Sequence, residues 1–314
     1  MPSAIQSALQ PAGIEALRIV HLWWIFFWVC TVVWVLVAGA TLMAVASGRR
    51  GTSAGVNERR VTGTVAAATA VSTVALLILL TTSVVTDRVN ASLDTTNALQ
   101  LQITGWQWWW DVQYTNPQAS LNVVTANEIH IPVGRPIRVT LLSGDVIHSL
   151  WIPPLNGKTD LIPGRANEIW FIADRPGVYR GQCAEFCGTQ HAKMALTVLA
   201  EPEDQFQRWL TAQRSPAASP TTPSEQRGRE IVERGPCAMC HAIQGSTAGA
   251  RTAPDLTHIA TRSTIGAGSV PNTRGYLAGW IADPQHIKPG NKMPAPGLSS
   301  EQLLAVLDYL ESLK

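Results

Sequence analysis

Two short stretches of the chain gather residue types that hold metals or accept covalent groups. The first reads Cys183-Ala-Glu185-Phe-Cys187-Gly-Thr-Gln-His191-Ala-Lys-Met194. Two thiols, an imidazole and a thioether sit close together there, and soft sulfur with imidazole selects copper, zinc or an iron–sulfur cluster. A mononuclear blue-copper site uses one Cys, two His and a weak Met. The second Cys would allow two thiolates to bridge two coppers, and a second His is then required. His148, within Asp145-Val-Ile-His148-Ser-Leu-Trp-Ile-Pro, lies on an earlier strand and can supply it. A structural Cys183–Cys187 disulfide would leave His148, His191 and Met194 without a role, and structural zinc seldom uses Met.

The second stretch is Cys237-Ala-Met-Cys240-His241, the C-x-x-C-H pattern of c-type haem attachment. Two thioether bonds would fix the porphyrin and place His241 under the iron. The opposite axial position needs a soft or imidazole ligand. Met293, in Asn291-Lys-Met-Pro294, is the only Met after the motif, and Met/His ligation raises the potential of a haem. His258 and His286 are the rivals. Cys30 stands alone in an apolar run, as a small buried hydrophobe would, His130 reads as a packed strand residue, and His21 as an interfacial one.

These stretches must be positioned by at least two kinds of element. Short strand candidates separated by Pro, Gly and Asn cover Leu99–Tyr114, Glu128–Ile131, Ile137–Leu142, Glu168–Ile172 and Gly177–Gln182. Val139 and Leu141 alternate with Arg138 and Thr140, the pattern of a half-buried strand, and many such strands with turn signals predict a β-sandwich. An amphipathic helix over Pro202–Gln213 closes it. Ser215–Ser224 is polar and Pro-rich, which predicts an extended, semi-stiff linker. Helices are expected over Ser224–Arg234 and Ser299–Leu313, the latter with Ser299 as N-cap. The expected organisation is 1–95, 96–214, a linker at 215–224, and 225–314.

The N-terminal segment has a different character. No Asp, Glu, Lys or Arg occurs from Ile19 to Gly48 or from Val61 to Thr86, and each run is long enough to span a bilayer. Trp23, Trp24 and Trp28 cluster at the start of the first, as an interfacial anchor would. Arg49, Arg50, Arg59 and Arg60 against one Glu58 place the intervening loop in the cytoplasm and the rest of the chain outside. The rival is a signal peptide cut after Ala44-Val45-Ala46, but the apolar run is longer than a typical h-region. Glu58 stands at the cytoplasmic start of the second span and reads as a plain loop charge. A net charge of +2, from 24 basic and 22 acidic residues without a basic tract, gives no footprint for nucleic acid.

The copper-type stretch, His148, Gly105-Trp-Gln-Trp-Trp-Trp110, Asn127-Glu-Ile-His-Ile-Pro-Val-Gly-Arg-Pro136 and Lys158-Thr-Asp-Leu-Ile-Pro-Gly-Arg165 together resemble cytochrome c oxidase subunit 2, from the hairpin to about residue 213. The region after the linker resembles a small cytochrome c, with Gly228 and Tyr309 at the positions of its helix crossing. The resemblance implies a multidomain chain: a two-helix transmembrane hairpin, a cupredoxin-like Greek-key β-sandwich and a small all-α cytochrome c domain.

It further implies a copper A centre, in which Cys183 and Cys187 bridge the metals and His148 and His191 cap one each. Met194 would ligate one copper and the Glu185 carbonyl the other, with the Glu185 side chain on a magnesium ion shared with the catalytic subunit. Trp108 would be an exposed electron-input residue beside the copper; the family usually has Tyr at the next position, where this chain has Trp109. The resemblance would also set Glu58 near a proton-uptake path instead of leaving it a plain loop charge. The implied partners are the haem–copper oxidase catalytic subunit 1, further membrane subunits, membrane lipid, and a cytochrome or quinol–cytochrome c reductase as donor. The implied setting is a bacterial cell membrane crossed twice, with the copper and haem domains on its outer face. Oxygen reduction to water and proton pumping would occur in the catalytic subunit. The other classes are a copper-containing subunit of a nitric oxide reductase, a free membrane-anchored electron carrier, and a copper-delivery protein.

Overall fold

The computed structural model describes residues 6–48, 57–91 and 96–314. The chain divides into two compact units, residues 17–94 and residues 1–16 with 95–314. The first is built on two helices, α1 (Ile14–Gly48) and α2 (Glu58–Ala91). Both are long and apolar enough to cross a membrane. Their apolar side chains, among them Trp28, Trp34, Leu36, Leu42, Leu76 and Leu80, are exposed. An all-round apolar helix surface of this kind calls for a lipid or protein covering. Arg18 near the start of α1 donates to Asn90 Oδ1 at the end of α2 (3.1 Å). Arg59 and Arg60 fall in the first turns of α2, whereas Arg49 and Arg50 lie outside the described residues.

In the second unit the chain first forms ten strands: β1 (Leu99–Trp106), β2 (Trp109–Tyr114), β3 (Val123–Ala126), β4 (Glu128–Pro132), β5 (Ile137–Ser143), β6 (His148–Trp151), β7 (Lys158–Leu161), β8 (Asn167–Phe171), β9 (Gly177–Cys183) and β10 (Ala195–Glu201). They make two five-stranded sheets, ordered β3-β2-β1-β5-β8 and β4-β10-β9-β6-β7. Pairing is antiparallel except for β1 with β5 and β10 with β4. The alternating inward residues Leu101, Ile103, Val139, Leu141, Tyr179, Leu196 and Val198 fill the space between the sheets, as sandwich packing requires. Helix α3 (Glu203–Gln213) closes one end through Phe206 and Leu210. The expected single strand over Leu99–Tyr114 is two, because the chain turns at Gln107-Trp108 and pairs back on itself from Trp106↔Trp109 to Leu101↔Tyr114.

The C-terminal part is helical: α4 (Pro223–Arg234), α5 (Arg274–Ala282), the short α6 (Pro284–Ile287) and α7 (Ser300–Ser312). Ser299 caps α7 by accepting from the Gln302 N–H, and Gln302 closes the capping box. Thr222 does the same for α4, so α4 begins inside the expected linker. A second apolar core, including Val232, Leu277, Val306, Tyr309 and Leu310, lies under these helices.

Helices α4 and α7 meet at Gly228, where an added Cβ would come within 2.0 Å of the Ala305 carbonyl oxygen and 2.8 Å of Tyr309 Cβ. Overpacking of this kind costs about 1–3 kcal/mol. Gly228→Ala is therefore expected to lower the stability of the C-terminal domain by about 2 kcal/mol despite alanine's better helix propensity. Thermal unfolding followed by circular dichroism measures this, and an unchanged or raised midpoint would show that the crossing has room to part.

Candidate functional site

The strands bring the first set of expected ligands together at one end of the sandwich. His148 opens β6 and Cys183 ends β9, and these neighbouring strands pair at Leu150↔Cys183. The chain then loops through Cys187, a 3-10 turn at His191–Lys193 and Met194 before entering β10. Gly188 sits in this loop at φ +115, a conformation that favours glycine, and an added Cβ there would come within 3.0 Å of the Trp108 indole.

The donor atoms converge. Cys183 Sγ lies 3.7 Å from Cys187 Sγ and 3.9 Å from His148 Nδ1. Cys187 Sγ lies 3.6 Å from His191 Nδ1 and 3.8 Å from Met194 Sδ. Glu185 turns its carbonyl oxygen to within 3.2 Å of Cys183 Sγ. His148, Cys183, Cys187 and Met194 are buried. Among the described residues, His148, Cys183 and Cys187 form the one cluster of three or more His, Cys, Asp or Glu side chains able to share a metal ion.

Electrostatics favours a cation there. A hydrogen bond from Cys187, aided by His148, holds the Cys183 thiol far below the ordinary thiol range, and the same coupling with burial pushes Cys187 up. The pair thus gives up one proton readily and retains the other until a positive charge compensates it. Burial opposes charge on His148, but hydrogen bonds to Cys183 and Asp145 outweigh it and raise its pKa. Asp145 Oδ1 lies 2.9 Å from His148 Nε2. This contact orients the ring so that Nδ1 faces the thiolates, the usual task of a carboxylate behind a ligating imidazole. Two thiols, two imidazoles, a thioether and a carbonyl at these separations fit a binuclear soft-metal centre.

The Glu185 side chain is exposed and Phe186 beside it is 76 % exposed. No cluster of metal-ligating side chains among the described residues includes Glu185.

The second set is carried by the C-terminal domain. Cys237 and Cys240, both free thiols, lie on and just beyond a 3-10 turn (Pro236–Met239). His241 Nδ1 is held 2.7 Å from the Pro254 carbonyl oxygen, which leaves Nε2 as the available nitrogen. Burial lowers the His241 pKa and so favours the neutral ring, the form that ligates iron. Two thiols spaced for one porphyrin edge and an oriented neutral imidazole fit a covalently attached haem. The backbone of Met293 is pinned by its N–H to Asn291 Oδ1 (2.8 Å) and by Gln285 Nε2 to its carbonyl (3.1 Å). Of the rivals, His258 has both ring nitrogens against carbonyls, those of Lys314 (2.9 Å) and Ser215 (3.0 Å). His286 is exposed on α6. His130 is buried between Glu201 (3.0 Å) and Glu128 (3.4 Å) and stacks on Trp209, a packing role.

Two expectations are corrected. Trp108 is not exposed: it retains 8 % accessibility, its Nε1 donates to the Cys187 carbonyl (3.0 Å), and Lys288 of the C-terminal domain lies against its backbone carbonyl (2.7 Å). The segment after Ser215, expected to be a linker up to Ser224, ends at Thr222 where α4 begins, and it lies on the C-terminal domain. Ala217 N–H donates to the Gln244 carbonyl (2.9 Å) and Ala217 packs on the C-terminal core. Apolar contact and a main-chain hydrogen bond outweigh the chain entropy that would keep such a segment loose.

Residues 116–201 match the family described as cytochrome C oxidase subunit II, periplasmic domain, and residues 225–314 match the cytochrome c family. The chain is 38 % identical over 219 residues to a cytochrome c oxidase subunit 2 of Alkalihalophilus pseudofirmus, covering 69 % of this chain and 62 % of that one. It is 33 % identical over 231 residues to a cytochrome c oxidase subunit 2 of Bacillus sp. PS3, covering 69 % and 63 %. The chain thus spans less than two thirds of the length of these relatives. Among solved structures, it is similar to the periplasmic domain of subunit II of cytochrome oxidase of Bradyrhizobium japonicum, with 33 % identity, 37 % of this chain and 93 % of that one covered, and a TM-score of 0.35.

Proposed function

We propose that this chain, a member of the cytochrome c oxidase subunit 2 family with a cytochrome c domain fused behind it, is the electron-input subunit of a haem–copper terminal oxidase. The observation that carries the reading is the convergence of His148, Cys183, Cys187, His191, Met194 and the Glu185 carbonyl at one end of the sandwich. Those residues would hold two copper ions, while Cys237, Cys240, His241 and Met293 would hold a haem. Bound there, the two groups supply one-electron redox chemistry, and the protein sets their position and potential.

The side chains divide the remaining work. Cys183 and Cys187 present two thiolates to one site. Asp145 orients the His148 ring, and the Pro254 carbonyl orients His241. Burial of His148 and Met194 keeps water from the ligand shell. Helices α1 and α2 anchor the chain in a bacterial membrane, with residues after α2 on the outer face. The exposed Glu185–Phe186 corner faces the catalytic subunit, where oxygen is reduced and protons are pumped, and Glu185 would share a magnesium ion with it. The donor is a cytochrome or a quinol–cytochrome c reductase.

The test is to purify the tagged chain from its native membranes. A large haem-bearing membrane subunit should accompany it, and the complex should take up oxygen with a cytochrome-type reductant. Isolation without such a subunit would favour a free electron carrier. A complex that consumes nitric oxide but not oxygen would favour the reductase.

A further inference from the structure

We propose that the C-terminal domain is seated on Trp108 and the 187–194 loop, and that Lys288 is the positioning residue that holds it there. The proposal deepens the reading above and rests on it for its role in electron transfer. The seat itself is a matter of the chain's own contacts.

Lys288 follows α6 and is 2 % exposed. Its ammonium donates to three carbonyl oxygens: Trp108 (2.7 Å), Lys193 (2.7 Å) and Gly266 (2.9 Å). An ammonium has three N–H donors, so each has a partner. Burying a charge is unfavourable unless it is paired or fully hydrogen-bonded. Only Gly266 belongs to Lys288's own domain. The other two acceptors lie on the sandwich, one on the turn that carries Trp108 and one next to Met194. The compensation for burying Lys288 is complete only when the two domains are together.

The surrounding contacts repeat the arrangement. Lys193 Nζ donates to the Ile287 carbonyl (2.7 Å) and Gln190 Nε2 to the Pro289 carbonyl (2.6 Å). Ala195 N–H donates to the Ala267 carbonyl (3.1 Å). Farther off, the Ser263 hydroxyl (2.5 Å) and N–H (3.0 Å) both donate to Glu128 Oε2. Lys292, next to Met293, pairs with Asp145 (3.1 Å), the carboxylate that orients His148. The segment 287–293 is therefore laid along the loop that presents Cys187, His191 and Met194. A purely structural Lys288 would find its acceptors within its own domain. Here two of the three come from the other domain, which makes it an interdomain contact.

The experiment uses the full chain in its membrane complex, with a protease site inserted between the exposed Ala218 and Ser219. After cutting, the C-terminal fragment is followed on a sizing column by its covalent haem. The wild-type fragment should stay with the complex. In Lys288→Met it should be retained on the order of 100-fold more weakly, since two charge-assisted hydrogen bonds between the domains are lost. In the uncut chain, the same substitution should speed hydrogen exchange at residues 107–109 and 187–195. If Lys288→Met does not accumulate with haem attached, Ser263→Ala takes its place and should weaken retention several-fold.

Release of the wild-type fragment on cutting at physiological salt would overturn the seat. So would a Lys288→Met fragment that is retained, with unchanged exchange. Neither outcome depends on oxygen uptake. A chain without an oxidase partner can still keep its seat, and an active oxidase can still lose it, so the two proposals fail separately.

Discussion

Cys187→Ser is expected to abolish the binuclear centre. Cys187 Sγ is the hub of the donor set, within 3.8 Å of Cys183 Sγ, His191 Nδ1 and Met194 Sδ. A serine hydroxyl is a hard, protonated donor in place of a soft thiolate and cannot bridge as sulfur does. Metal analysis of the wild-type chain should give two coppers with one unpaired electron shared between them. The variant should hold one or none, without the shared-electron spectrum. Oxygen uptake should fall by more than the roughly 10–100-fold that loss of an outer-shell partner brings. One copper per wild-type chain, or a shared-electron spectrum that survives the substitution, would refute the bridging role.

The second large effect is expected at Met293. Met293→Ala should remove the weak sulfur-to-iron absorption band and lower the haem potential by on the order of 0.1 V or more, a fraction of the roughly 0.8 V range that axial ligands span. The haem itself should stay attached, because Cys237 and Cys240 are untouched. His258 has both ring nitrogens facing carbonyls. A band that persists in the variant would mean that another group ligates the iron, and the exposed His286 is then the first to replace.

The residues proposed for both sites stand out in the sequence because their chemistry needs particular residue types at short spacing. The run Cys183–Met194 lies on one strand end, one loop and one 3-10 turn, so its ligands are neighbours in sequence as well as in space. His148 lies 35 positions before Cys183, and the pairing of β6 with β9 brings its ring to the thiol. Helices α4 and α7 were equally readable, Ser299 with Gln302 being a local capping signal, whereas α5 and α6 were not expected from the sequence. The strands at Val123–Ala126, Lys158–Leu161 and Ala195–Glu201 were less so. Their places in the sheets come from long-range pairing rather than from their own composition.

The arrangement of the domains was not legible. The resemblance implied an exposed Trp108, and only the fold reveals what covers it. Ser215–Thr222 has the composition of an extended, semi-stiff linker, and it lies down because the neighbouring domain offers Gln244 and an apolar surface. Lys288 has no local mark at all. A lysine beside Pro289 and Gly290 looks like an ordinary solvated loop residue. Its burial depends on oxygens nearly a hundred and a hundred and eighty positions away.

Those oxygens have a consequence for how such a chain can change over generations. The seat is built largely from main-chain carbonyls: Trp108, Lys193 and Gly266 toward Lys288, Ile287 toward Lys193, Pro289 toward Gln190, and Ala267 toward the Ala195 N–H. A carbonyl is the same whatever side chain its residue bears. Mutational drift at the accepting positions leaves the acceptors in place so long as the backbone path survives. Selection for docking would therefore fall on the few donors, Lys288 above all, and on the turn geometry that presents the oxygens. Two descendants of this chain could differ across most of the contact surface and still exchange C-terminal domains, provided that each kept a lysine after α6.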